Sequence, residues 1–315
     1  MGLVAGFRIP APGLICGLVV LSCAVVRADI GGPPIPVYLN PARVDEIATD
    51  GSLRLDYPSW ISPDGLQLLF NSNRNGGHTE MFLISRPNTS SPFAAPTQAP
   101  FVNVNGGSGD TRSGIISSSG LELFYYGNAG ASPHYIYRAT RTDTSQAFSD
   151  PQALTSVLTN PTGVHDPQRI SADGLRLYFI DTSSTVVHTT GQYVATRPDL
   201  NSPFGTPSNA PFVNLGYAES IYLTPDELQM LYINDSVLKW TWRPDLATPF
   251  APGTALSSLT SGWSFVMAGL DAYYANNDDV WHATLLPEPG SVMAMGACAL
   301  FLAHRRPRHC PRRSR

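Results

Sequence analysis

The chain has 315 residues, 43% of them hydrophobic and only 14% charged, with 28 prolines and 27 glycines, which suits one large, turn-rich β domain beside processing segments. Between residues 29 and 286, 12 basic residues stand against 23 acidic ones, a net charge of −11; such a domain repels a phosphate backbone, which argues against nucleic acid as a partner. All four cysteines (Cys16, Cys23, Cys298 and Cys310) lie outside that stretch, so it contains neither a disulfide nor a cysteine-ligated metal.

Residues 1–28 have the build of a secretory signal. Arg8 is followed by an apolar run from Gly13 to Val26, and Val26-Arg27-Ala28 offers a cleavage site after Ala28. The domain is therefore expected to span 29–286 and to be exported. Near its start, Ala42-Arg43-Val44-Asp45-Glu46-Ile47 reads as a strand.

A ten-residue string then recurs: ISPDGLQLLF (61–70), ISSSGLELFY (116–125), ISADGLRLYF (170–179), LTPDELQMLY (223–232) and, more weakly, FVMAGLDAYY (265–274). Gly65, Gly120, Gly174, Glu227 and Gly269 are equivalent, at steps of 55, 54, 53 and 42 residues. That period fits a four-stranded propeller blade. In each copy the residues before the turn, such as Ser59-Trp60-Ile61, form the inner strand. Pro63-Asp64-Gly65 and Ala172-Asp173-Gly174 are tight turns in which Asp accepts backbone hydrogen bonds and Gly supplies a positive φ. The second strand becomes continuously apolar, as in Leu66–Phe70 and Leu175–Phe179, and so is buried on both faces.

The third strands fall at Met81–Ser85, Ile136–Thr140, Tyr193–Thr196, Leu238–Trp242 and Val280–Thr284. In four copies an arginine follows, with a phenylalanine seven residues later: Arg86/Phe93, Arg141/Phe148, Arg197/Phe204 and Arg243/Phe250. This constant spacing predicts a structured corner, in which the phenylalanine plugs the bottom of the blade and the arginine pairs with a carboxylate or loop carbonyls. Outer strands are expected at Ala99–Asn103, Ala153–Leu158, Ala210–Asn214 and Ala255–Leu259. The fifth copy runs into Leu285-Leu286-Pro287 and has no such strand, so the segment at Ala42–Ile47 supplies it and closes the ring. The expected fold is an all-β, five-bladed β-propeller; six blades is the alternative if residues 30–58 hold further strands.

The Ser-Pro-Asp-Gly-Leu-x-Leu-x-Phe motif at Ser62–Phe70, with its copies, resembles the WD-repeat-like propellers typified by TolB. The copies depart at Ser118-Ser119, Glu227 and Met267-Ala268. The resemblance implies the architecture; across the family it accompanies protein binding, polysaccharide contact and, with added catalytic domains, peptidase activity. Residues 287–315 carry Pro287-Glu288-Pro289, an uncharged apolar run from Ser291 to Ala303 and an arginine-rich end. Thirteen apolar residues are short of the roughly 20 that span a bilayer. This tail resembles a PEP-CTERM sorting signal, which implies an exosortase-type processing enzyme as a partner, transient membrane contact, and delivery to the cell surface or extracellular matrix.

No Gly-x-Ser-x-Gly elbow, His-Glu-x-x-His or phosphate-cradling loop occurs, and no catalytic residue, metal ligand or cofactor is assigned. His78, His134, His165, His188 and His282 are scattered and read as surface residues. Asp56, Asp110, Asp166 and Glu219 each stand just before an inner strand. They could ring one mouth of the central channel and bind a cation or polar ligand, or each could accept hydrogen bonds from a neighbouring blade. The expected function is a non-enzymatic binding or scaffold module, with extracellular polysaccharide or another envelope protein as candidate partners. The alternative is a carbohydrate-active hydrolase that uses acidic residues at the channel mouth.

Overall fold

A computed structural model of the chain describes residues 32–48, 55–98, 110–127, 135–159, 163–182, 190–212, 215, 218–256, 258–259 and 264–286. The leader, the tail and the expected strand at 99–103 lie outside the described residues, among which no helix is long and apolar enough to cross a membrane.

The described residues form five antiparallel sheets of four strands each, the blades of a five-bladed β-propeller. Blade 1 comprises β2 (Asp56–Ile61), β3 (Gln67–Ser72), β4 (Glu80–Ser85) and β5 (Thr97–Gln98). Blade 2 comprises β6 (Thr111–Ile116), β7 (Glu122–Gly127), β8 (Tyr135–Thr140) and β9 (Ser149–Ala153). Blade 3 comprises β10 (Val164–Ile170), β11 (Arg176–Thr182), β12 (Thr190–Thr196) and β13 (Ser208–Asn209). Blade 4 comprises β14 (Ala218–Leu223), β15 (Gln229–Asn234), β16 (Val237–Trp242) and β17 (Thr254–Ala255). Blade 5 combines β18 (Phe265–Ala268), β19 (Asp271–Asn276) and β20 (Asp279–Leu285) with β1 (Tyr38–Arg43) from the other end of the chain.

The N-terminal strand does close the ring, but four residues earlier than Ala42–Ile47. Tyr38 lies opposite Leu285 and Arg43 opposite Trp281. Val44 N still donates to Val280 O of β20 at 2.9 Å, and the chain then turns, with Ile47 N donating to Val44 O at 3.0 Å. The turn sends Val44 and Ile47 into an apolar cluster with Ile61 and Leu68 of blade 1 and Val266 and Tyr273 of blade 5. Burial in that seam outweighs continued pairing along β20. In blades 2, 3 and 4 the outer strands are likewise shorter than expected and begin upstream, at Ser149, Ser208 and Thr254, while β5 begins at Thr97. Thr155–Val157 is a 3-10 turn, and Pro211 has no N–H to give a ladder. The two-residue outer strands of blades 3 and 4 leave little unpaired edge.

The turns follow one plan. Asp64 Oδ1 accepts from Leu66 N at 3.0 Å and from Ser62 Oγ at 2.5 Å, and Ser62 Oγ accepts from Gln67 N at 2.8 Å. Asp173 with Ser171 and Asp226 with Thr224 repeat it, while Ser119 stands in for Asp in blade 2. The second strands are buried on both faces, as β7 is at all six positions.

The corners hold the blades to one another. Arg86, Arg141, Arg197 and Arg243 each lie over their phenylalanine (Phe93, Phe148, Phe204, Phe250) at 4.3–4.7 Å from the ring centroid. Each Nε donates to the turn carbonyl of its own blade (Gly65, Gly120, Gly174, Glu227) at 2.6–2.8 Å, and each Nη1 donates to a loop carbonyl. The phenylalanines fill seams rather than the floors of their own blades. Phe204 meets Phe124 of blade 2 edge-on and Phe93 meets Tyr273 of blade 5 in the same way. In two corners the remaining guanidinium nitrogen reaches the first residue of the preceding blade's second strand: Arg197 Nη2 to Glu122 at 2.6 Å and Arg86 Nη2 to Asp271 at 3.5 Å. A further signal lies two residues after each arginine. Asn88, Asp143, Asp199 and Asp245 accept from backbone N–H groups of the following residues and fold the loop back.

Blade 4 explains the Glu that replaces a turn glycine. There the equivalent first residue of the preceding second strand is Arg176, a like charge to Arg243. Glu227 holds φ at +57°, next to +71° to +74° for Gly65, Gly120 and Gly174, a strained conformation for a side-chain-bearing residue. Its carboxylate accepts from Arg176 Nη2 at 3.0 Å and Tyr178 Oη at 2.8 Å, and lies 3.9 Å from Arg243 Nη2. The turn thus supplies the carboxylate that blade 3 lacks.

Two outcomes follow from these corners. Glu227→Gly relaxes the turn yet should destabilise the fold by about 2 kcal/mol, since it removes the carboxylate beside the buried Arg243 and leaves Arg176 with Asp173 alone, at 3.1 Å; adding Arg176→Gln should recover part of the loss in denaturant titrations. Burial raises the Glu122 carboxyl, but hydrogen bonds from Arg197 and Arg138 outweigh it and hold the group below its ordinary value of 4.5. Its stabilisation is therefore complete above that value and is lost as pH falls through the lower folded value. Glu122→Gln should be less stable than the parent at neutral pH, and the gap should narrow in acid melts below pH 4.5.

Candidate functional site

Strands β2, β6, β10, β14 and β18 surround a central channel of about 620 Å³. The first four of these strands carry a bulge, between Pro58 and Trp60, Arg112 and Ile115, Pro167 and Arg169, and Ala218 and Ser220. A bulge frees a backbone group and re-aims nearby side chains. Two amide side chains use this to tie adjacent blades: Asn71 Oδ1 accepts from Ser113 N at 3.0 Å, and Gln168 Oε1 from Ile221 N at 2.9 Å.

The four acidic residues singled out in the sequence do not share one environment. Asp56 stands five residues before the end of its inner strand, Asp110 six, and Asp166 and Glu219 four. A one-residue offset exchanges the two faces of a strand, so Asp56 and Asp166 point differently. Asp56 is only 1% exposed. It accepts from Arg74 Nη2 at 3.1 Å, and the same nitrogen donates to Ile47 O at 2.9 Å. Arg74 also lies 4.8 Å from the centroids of Phe70 and Phe82. Asp110 accepts from Thr79 N of the preceding blade at 2.8 Å, with His78 Nδ1 at 3.7 Å. Both therefore serve blade contacts. Asp166 opens on the channel. Glu219 occupies the bulge of β14, and its side chain lies outside the described residues.

Asp166 Oδ1 lies 3.4 Å from Arg112 Nε and 3.2 Å from Ser113 Oγ. Arg112 also lies over Tyr126 at 4.3 Å. Burial pulls the Arg112 guanidinium down, but Asp166 and the Tyr57 and Tyr126 phenols raise it beyond its ordinary value, so it stays charged. Burial raises the Tyr57 and Tyr222 phenols; both remain neutral, and the Tyr222 hydroxyl donates to Met267 O at 3.2 Å. Arg169 lines the same channel, lies 4.9 Å from the Tyr222 ring centroid, and is half-buried.

The histidines are not all surface residues. His165, in β10, is fully buried, with Nε2 3.1 Å from Thr159 Oγ1 and 3.7 Å from Asp181 Oδ2. It stands five residues before the end of its strand, as Asp56 does, so the signal was its register and not its neighbours. His282 is half-buried and meets Asp271 at 2.7 Å. Among the described residues, no three His, Cys, Asp or Glu side chains cluster as a metal site.

No protein-family model and no curated protein matches the chain. Solved structures of similar fold include TolB from Acinetobacter baumannii, at 12% identity and TM-score 0.43, over 76% of this chain and 65% of that one. They also include XC5397 from Xanthomonas campestris, described as a gluconolactonase, at 11% identity and TM-score 0.44, over 82% of this chain and 99% of that one. A third is the catalytic domain of the Coprinopsis cinerea GH62 α-L-arabinofuranosidase, at 11% identity and TM-score 0.48, over 79% and 96%. None assigns an activity to this chain.

The contrast between the two aspartates is measurable. Asp56→Ala should cost about 3 kcal/mol because it leaves the Arg74 guanidinium buried without its carboxylate. Asp166→Asn, in an open channel, should cost about 1 kcal/mol or less, as read from urea midpoints.

Proposed function

We propose that the protein is an exported, surface-directed binding module that takes its ligand in the central channel without transforming it. The observation that carries this reading is the state of Asp166, the carboxylate that an inner strand presents to the channel. It is neutralised by Arg112 and held by Ser113. Hydrolysis of a glycosidic bond needs two carboxyl groups in unlike environments flanking the bond. A carboxylate already committed to an arginine suits a fixed polar wall better than a general base. The leader at 1–28 and the tail resembling PEP-CTERM at 287–315 support delivery to the cell surface through an exosortase-type enzyme.

One observation favours a second reading, a carbohydrate-active hydrolase. Asp278, in the exposed turn between β19 and β20, also lines the channel and supplies another carboxylate. A screen of the full chain against a glycan array and a panel of chromogenic glycosides separates the two. The binding reading expects retention on the array with no turnover. Turnover that disappears in a folded Asp166→Asn variant would replace it with the hydrolase reading.

A further inference from the structure

We infer that the channel binds a hydroxylated carboxylate, an acidic sugar of the uronic acid class, and that Arg169 is the residue that receives the carboxylate. This rests on the reading of the channel as a ligand site and narrows what that ligand is.

Two arginines line the channel, and they differ in what they already hold. Arg112 has Asp166 at 3.4 Å and the Tyr126 ring at 4.3 Å; its charge is answered within the protein. Arg169 has the Tyr222 ring at 4.9 Å, but among the described residues no carboxylate or hydrogen-bond acceptor engages its guanidinium. A half-buried guanidinium gives up part of its hydration, and a ring face returns only part of that. Contact through a ring leaves the N–H donors uncommitted, and those donors form the fork that matches a carboxylate in two parallel hydrogen bonds. The four charged residues on the described lining, Arg112, Arg169, Asp166 and Asp278, sum to zero; with Asp166 engaged by Arg112, Arg169 is the cation that no carboxylate among the described residues contacts. That balanced lining sits inside a domain whose net charge over residues 29–286 is −11. An acidic exterior disfavours a phosphate-dense polyanion and tolerates a ligand with one negative charge per binding unit.

The rest of the lining selects a hydroxylated ligand over an aliphatic acid. Ser220 and Asn277 place a hydroxyl and an amide on the channel, and Tyr57 places its ring there. A volume of about 620 Å³ falls within the range of small-molecule sites, roughly 300–1,000 Å³.

The test uses the full chain in calorimetric and NMR titrations with D-galacturonate, its neutral counterpart D-galactose, and inorganic phosphate. The parent should bind galacturonate at least about tenfold more tightly than galactose, the scale of one charge-assisted contact. Arg169→Gln should erase that preference, and Arg169→Lys should keep part of it, with thermal midpoints confirming that both fold. Equal affinity for the two sugars, lost together in a channel variant such as Tyr222→Ala, would overturn the acidic-ligand assignment while leaving the channel as a binding site. Phosphate binding without galacturonate binding would also overturn it, as would a preference that survives Arg169→Gln. If none of the three probes binds, the inference falls; array retention then decides the binding reading independently.

Discussion

The corner arginine is the interaction on which this ring depends. In one side chain it joins three levels of structure. The planar face covers a phenylalanine, one edge closes the turn and loop of its own blade, and in two corners the far nitrogen reaches the preceding blade's carboxylate. A propeller has no central layer to organise its sheets, so its stability lies in the seams between them. A guanidinium at each of four seams fixes spacing and orientation together, because its donors are coplanar and cannot be satisfied independently. The phenylalanine below keeps water from the ion pair and strengthens it.

The exceptions obey the same constraint. Blade 2 places Arg141 at a seam where the equivalent residue of blade 1 is Gln67, and burial lowers that guanidinium from its ordinary value. Blade 4 meets a like charge at Arg176, and its turn abandons glycine for a glutamate at positive φ. The strain is local and small, while leaving the buried Arg243 beside Arg176 with Asp173 as the remaining carboxylate would not be. A departure that looks like decay of the repeat is a repair of its electrostatics.

Much of this was legible in the sequence, because repetition multiplies a weak signal. The string around Ile61–Phe70 and its copies located the second strands to within three residues. The arginine–phenylalanine spacing located the corners, and the missing outer strand of the last blade pointed to the N-terminus. Where the strands end was not legible. Val44 and Ile47 look like strand residues, but they are claimed by a seam formed from blades distant in sequence. The candidate site was half legible. The sequence marked four acids near the inner strands, but bulges and one-residue offsets decide which face each takes, and only Asp166 among Asp56, Asp110 and Asp166 turns to the channel. Arg169 carries no motif at all, and its interest lies in the lack of an acceptor among the described residues, which only the assembled ring exposes.

The pairing of β1 with β20 has a mechanical meaning. Tyr38 opens the first strand and Leu285 ends the last, and they lie opposite one another, with Leu286 N bonded to Val37 O at 2.8 Å. Both chain ends therefore leave the ring at one point. Tension applied between them would part that ladder like a zipper, one rung at a time, beginning at Leu286. Tension on the C-terminal end alone, with the ring held elsewhere, would draw on blade 5 before any other. This clasp is the place where force applied at either end of the chain would first enter the fold.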